Sequence, residues 1–217
     1  LTTIPTEISD IELVRFFTLS TTDLSIIDPR LDSAYRFDQA AHMCLLRWLG
    51  WSPVVIDQVP DTVHVVLCQQ IGVEIPVGSL QPPSARTSRL HAERARKYLG
   101  WIKYLLSMDP SLTEWLKLIA EEQDHARVLF DILCRHLYQE RVVRPGLAHL
   151  ERLVESTRNG VRERLANEID VQLTVEQKTK LDELLVVQPG ESQSPLQYFK
   201  ETPTRASGNE LLKVLEK

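Results

Sequence analysis

The chain has 217 residues, 43% hydrophobic and 25% charged, with a formal net charge of −5. These are the proportions of a folded soluble protein, with room for one large domain or two to three small ones. No apolar run approaches the roughly 18 residues a membrane span requires. No basic start followed by an apolar stretch marks a secretory signal, and the chain opens on Leu1 rather than Met.

Nearly every segment reads as helix. Ser9 caps a short helix through Phe17, and the Thr18–Asp23 turn caps a second that ends before Asp28-Pro29. Asp32 or Ser33 opens a longer helix to Leu49, stopped by Gly50 and Pro53. Pro60-Asp61 opens another, to about Ile71. Residues 72–85, with Gly72, Pro76, Gly78, Pro82, Pro83 and Ser84, form the clearest linker. Thr87 or Ser88 is expected to cap a helix to Leu99. Ser111, with Glu114 three residues on, is expected to cap a helix, or a pair broken near Gln123, that runs to about Tyr138. Val142-Val143-Arg144-Pro145-Gly146 marks a second boundary. Helices follow near 147–169, 174–186, 193–199 and 208–216, with capping boxes at Thr174/Gln177 and Ser207/Glu210. Strand signals are almost absent. The fold expected is all-α: one helix-turn-helix-like module over 1–74, a second over 84–144, and a helical scaffold or dimerisation segment over 145–217.

Two blocks repeat. Arg47-Trp48-Leu49-Gly50-Trp51 returns as Lys97-Tyr98-Leu99-Gly100-Trp101, with Arg36 and Arg86 at equal distances upstream. Two copies are too few for a solenoid, which needs three or more units. They suit two tandem helical modules, although aromatic, Leu and Gly at a helix end is also a common stop signal. Cys44, Cys68 and Cys134 lie far apart among apolar neighbours, as core residues of a chain from a reducing interior would.

Charge is unevenly spread. Residues 1–80 sum to −6, 81–106 to +5, 107–134 to −4, 135–164 to +3 and 165–217 to −3. On a helical wheel from Arg86, Ala92, Ala95, Leu99 and Ile102 fall between about 160° and 240°. Arg86, Arg89, Arg96 and Lys97 fall from about 280° round to 20°, and Arg94 lies near about 80°. Glu93 lies within the cationic face, and Leu90 sits on it at about 40°. A helix buried on one side and cationic on the other can dock on phosphates or enter a major groove. The opposing interpretation is a solvated helix face. In the helix 33–49, Phe37, Ala41, Cys44 and Trp48 form the buried stripe. Arg36 and Gln39 lie on the other side, where Arg suits guanine or phosphate and Gln suits adenine.

No nucleotide-binding, nucleophile-elbow or zinc-protease motif occurs. Glu122-Gln123-Asp124-His125 supplies one Glu-x-x-His pair, where a di-iron bundle needs two such pairs and two further Glu residues. No catalytic residue, metal, cofactor or small-molecule substrate is assigned.

An ordered set of motifs resembles one family. Phe17-Thr18-Leu19-Ser20-x-x-Asp23 and Arg36 through Trp51 come first. Val59-Pro60, Arg86-Thr87-x-Arg89-x-His91, Tyr98 through Trp101, Trp115-Leu116, Leu150 through Val154, Leu173-Thr174, Leu181 to Leu185 and Leu211-Leu212 follow. Together they look like the N-terminal region of the replicative bacterial transposases of the Tn-three family. The resemblance implies tandem helix-turn-helix domains of the centromere-protein-B type that bind the terminal inverted repeats of a transposon, followed by dimerisation segments. It also implies a catalytic domain that lies downstream and is not matched here, so this chain is expected to bind without catalysis, in the cytoplasm at the nucleoid. Arg86, Thr87, Arg89 and His91 are the DNA-facing positions it suggests, and Arg36 and Gln39 are their chosen counterparts in the first module. Arg94, Arg96, Lys97 and Lys103 complete the expected contacts. The implied partners are double-stranded DNA and, in the full-length protein, a second copy. The acidic first module departs from what a DNA binder needs. Two other classes stay open: an all-helical interaction scaffold without nucleic-acid contact, through stretches such as Leu147, Leu150, Leu153 and Val154, and a ligand-sensing helix-turn-helix repressor.

Overall fold

A computed structural model describes residues 4–187, 189 and 191–200, with backbone alone at 198–200. The helix expected at 208–216, its Ser207/Glu210 cap and Leu211-Leu212 lie outside the described residues. The described residues form an all-α fold: α1 Asp10–Phe17, α2 Thr21–Ile26, α3 Ser33–Leu49, α4 Asp61–Ile71, α5 Ala85–Tyr98, α6 Asp109–Ala120, α7 Ala126–Gln139, α8 Leu147–Gln172, α9 Val175–Glu183 and α10 Pro195–Lys200. None of these helices is long and apolar enough to cross a membrane.

Local chemistry explains most of these limits. Ser9 accepts from the Glu12 amide while Glu12 accepts from the Ser9 amide, so each satisfies an orphan donor of the other at the start of α1. Ser20 with Asp23, and Thr174 with Gln177, do the same for α2 and α9. The helix ends at both repeated blocks need a left-handed residue, and glycine supplies it. Gly50 has φ 72° and donates to the Leu46 carbonyl at 3.0 Å. Gly100 has φ 69°, and there Trp101 donates to the Arg96 carbonyl at 2.9 Å.

Two starts differ from expectation. Ser84 caps α5, accepting from the Thr87 amide at 3.3 Å, because the Ser88 hydroxyl is turned inward to Asp38. Helix α6 opens at Asp109-Pro110, with proline where its missing N–H costs nothing. Ser111 lies inside it and donates to the Met108 carbonyl.

The chain divides into a compact unit, Leu1–Val161, and a second, Arg162–Lys217. The first contains two cores. Phe17, Phe37, Met43, Leu45, Ile56 and Leu67 centre one, with Ala95 of α5 inside it and Tyr98 and Leu99 packed on it. Leu116, Leu129, Leu133, Leu137, Leu150 and Val154 centre the other. This division differs from 1–74, 84–144 and 145–217. The 72–85 stretch joins helices that share one core, and the 142–146 stretch joins helices that share the other, so neither separates compact units. The three cysteines are free, and burial pushes the Cys44 thiol up to about 12.

Candidate nucleic-acid interface

Helix α5 presents a polar outer face because its inner face is spent on α3. Ala95 is 3% exposed and enters the core, and beside it Ser88 and His91 are buried too. Both reach Asp38 of α3. The Ser88 hydroxyl donates to Asp38 Oδ1 at 2.8 Å, and His91 Nδ1 lies 2.6 Å from Asp38 Oδ2. His42 Nε2 lies 2.9 Å from the Ser88 hydroxyl, and His42 Nδ1 lies 2.9 Å from that of Ser52. One buried carboxylate thus fixes two residues nearly one turn apart on α5 and sets the rotation of that helix. Burial pulls the His42 pKa down to about 4, with the Asp38 charge opposing and His91 adding to the fall.

The opposite side of α5 is cationic and open. Arg86, Arg89 and Arg94 are exposed, and none has an acidic partner among the described residues. Lys97 is exposed and lies 3.7 Å from Glu93. Lys103 is exposed beyond the helix end, and Thr87 is half-buried with its hydroxyl 3.1 Å from Ser84 Oγ. Leu90 is 56% exposed in the middle of this face.

Four of the expected contact residues are engaged internally. Arg96 forms a two-pronged pair with Glu93, at 2.8 and 2.7 Å, and donates to the Trp101 carbonyl at 2.6 Å, closing the helix end. Glu93 is held near 2 chiefly by this pairing. His91 is inside, on Asp38. Gln39 is buried and accepts from the Asp28 amide at 3.2 Å. Arg36 is half-buried and donates to the carbonyl of Ile71, the last residue of α4. The wheel carried a signal for His91: it places that residue at about 140° and Ser88 at about 200°, flanking Ala95 at about 180°. Nothing comparable flagged Asp38, an acid in the middle of a buried helix.

The acid Asp23 was also missed. It is 2% exposed and binds both repeated blocks. Arg47 of the first copy donates to its two oxygens at 3.1 and 2.5 Å, and Tyr98 of the second donates at 2.9 Å. Burial would raise the Asp23 pKa, but Arg47, the Ser20 amide and Tyr98 outweigh it and hold it at about 2.

Residues 1–157 match the family described as "Domain of unknown function (DUF4158)". The chain belongs to this family. It is also similar to the "Transposase for transposon Tn1546" of Enterococcus faecium, 30% identical over 207 residues, covering 94% of this chain and 21% of that protein. It is 26% identical over 206 residues to the "Transposase for transposon Tn501" of Pseudomonas aeruginosa, covering 95% and 21%. It is 26% identical over 219 residues to the "Transposase for transposon gamma-delta" of Escherichia coli (strain K12), covering 97% and 21%. The chain therefore spans about a fifth of the length of these curated relatives. The resemblance read from the ordered motifs is met: the chain is homologous to the N-terminal region of Tn-three-family transposases.

Proposed function

We propose that this chain is a DNA-binding segment of a transposase, recognising transposon terminal inverted repeats through the outer face of α5 and taking no part itself in bond breakage. The observation that carries this is the set of exposed arginines, Arg86, Arg89 and Arg94, without acidic partners among the described residues, on a helix whose other side is anchored. Thr87, Lys97 and Lys103 extend the contact. Arg96, His91 and Asp38 hold the helix in place, and no role on DNA is given to Arg36 or Gln39. An α-helix fits the major groove, arginine pairs with guanine edges and phosphates, and unneutralised cations release counterions on contact.

The test is fluorescence anisotropy with a terminal-repeat duplex and a scrambled duplex across a salt series. Specific binding is expected to weaken steeply with salt. Arg86→Ala with Arg89→Ala should lower the salt slope by about 2. Glu121→Gln with Glu122→Gln should leave it unchanged. Equal affinity for both duplexes, or equal behaviour of the two double variants, rejects the proposal.

A second reading concerns the second unit. Ile169, Val171, Val175 and Leu185 are exposed at 58%, 85%, 82% and 60%. Such residues suit a protein contact, and a homodimer within the longer protein is proposed to use them. A strict monomer at high concentration in sedimentation counts against this.

A further inference from the structure

Among the described residues, Arg141 is the one non-glycine with a positive φ, 52°. It follows α7 at the position where the helix reverses. Its amide donates to the Tyr138 carbonyl at 3.1 Å, and the Val142 amide donates to the Leu137 carbonyl at 2.8 Å. At the ends of α3, α4 and α5 the chain uses Gly50, Gly72 and Gly100 for the left-handed residue. A Cβ is disfavoured in this conformation. Here the chain keeps an arginine where glycine serves the backbone better, which points to a use for the side chain.

That side chain is exposed and lines a cleft of about 440 Å³ with Arg15, Phe16, Arg47, Trp101 and Tyr138. Arg47 is neutralised by Asp23. Arg15 lies over the Phe16 ring at 5.1 Å, and neither it nor Arg141 has an acidic partner among the described residues. The cleft meets α5 at its C-terminal end, through Leu99 and Trp101. Ile102 donates to the Arg141 carbonyl at 2.7 Å, so Arg141 stands beside the segment that carries Lys103. Two unneutralised guanidinium groups in an aromatic-walled cleft suit a phosphate group. We propose that this cleft takes a backbone phosphate of the DNA bound by α5, with Arg141 and Arg15 as its cationic donors. The inference rests on the DNA-binding reading above.

The test uses the full chain, a terminal-repeat duplex, a salt series and thermal unfolding. Arg141→Gly relieves the backbone, so its midpoint is expected to stay level or rise by up to about 4 °C. Its affinity is expected to fall about tenfold, with a salt slope smaller by about 1. Arg15→Ala should lose a similar slope, and Arg141→Lys should keep most of the binding. Wild-type affinity and slope in Arg141→Gly overturn the inference while leaving α5 untouched. So does a midpoint several degrees lower, which marks Arg141 as serving the helix end. Millimolar inorganic phosphate that stabilises the wild type but not Arg141→Gly, with DNA binding equal in both, makes the cleft a free-anion site and also overturns it. A wild type that ignores the duplex refutes the α5 reading instead.

Discussion

Gly50→Ala and Gly100→Ala place one methyl group at equivalent positions of the repeated block, in nearly equal conformations, φ 72° and 69°. In a left-handed conformation the added Cβ costs about 1–2 kcal/mol. The unfolded chain loses some freedom, which offsets about 0.5–1 kcal/mol. At Gly100 nothing lies within 4 Å of the new atom, so the net loss is about 1 kcal/mol. At Gly50 the new atom meets Tyr138 Cδ2 at 3.0 Å and the Trp101 ring at 3.5 Å. Tyr138 cannot retreat freely, because its hydroxyl donates to the Arg47 carbonyl at 2.5 Å and its ring stands edge-on to Trp101 with centroids 5.4 Å apart. Overpacking of this kind adds about 1–2 kcal/mol, for a total of about 2–3 kcal/mol. Urea unfolding followed by tryptophan fluorescence measures both, since all four tryptophans (Trp48, Trp51, Trp101, Trp115) lie in the first unit. At about 2–4 °C per kcal/mol, the Gly50 variant should melt well below the Gly100 variant. Equal losses refute the idea that Gly50 is needed for the close approach of α7 as well as for its dihedral angle.

Two pH dependences follow from buried groups, and the salt series on Arg86/Arg89 and the Arg141→Gly comparison complete the tests. The folded state holds a proton on His42 less tightly than the unfolded state, about 4 against 6.5. Its contribution, about 3 kcal/mol, is therefore complete above pH 6.5 and is lost as pH falls through 4. Chemical denaturation at stepped pH should show this slope in the wild type and lack it in His42→Gln. Asp23 is depressed from 3.8 to about 2, so its contribution, about 2 kcal/mol, is present above pH 3.8 and disappears as pH falls through 2. Arg47→Met should weaken that lower slope in the same titration, and an undiminished slope shows that Arg47 is not its chief cause.

The helices were legible where local chemistry decides them. Ser9 with Glu12 and Thr174 with Gln177 are short-range reciprocal caps, and Gly50 and Gly100 are stops that need no tertiary partner. Helix starts were misjudged where a side chain had a better partner elsewhere. Ser88 looks like a cap in sequence, but its hydroxyl serves Asp38, fifty residues away. The open arginines of α5 could be placed by the wheel alone. The wheel also turns His91 inward but does not supply its partner Asp38, and the inward course of Arg36 and Gln39 depends on Ile71 and Asp28, which periodicity does not bring together. The division into cores was hidden for the same reason. A proline-rich stretch reads as a boundary in sequence, yet α5 folds back onto α3 and closes the same core.

Asp23 gives the two matching blocks a common master. Its carboxylate is held by Arg47 from one and by Tyr98 from the other. Neither block can therefore diverge at that contact alone. A change in Arg47 leaves a sequestered anion dependent on Tyr98, and a change at the acid strands partners from both. The two partners are not counterparts in the repeat, since Arg47 matches Lys97 and Tyr98 matches Trp48, so the acid ties the blocks together through different positions of each.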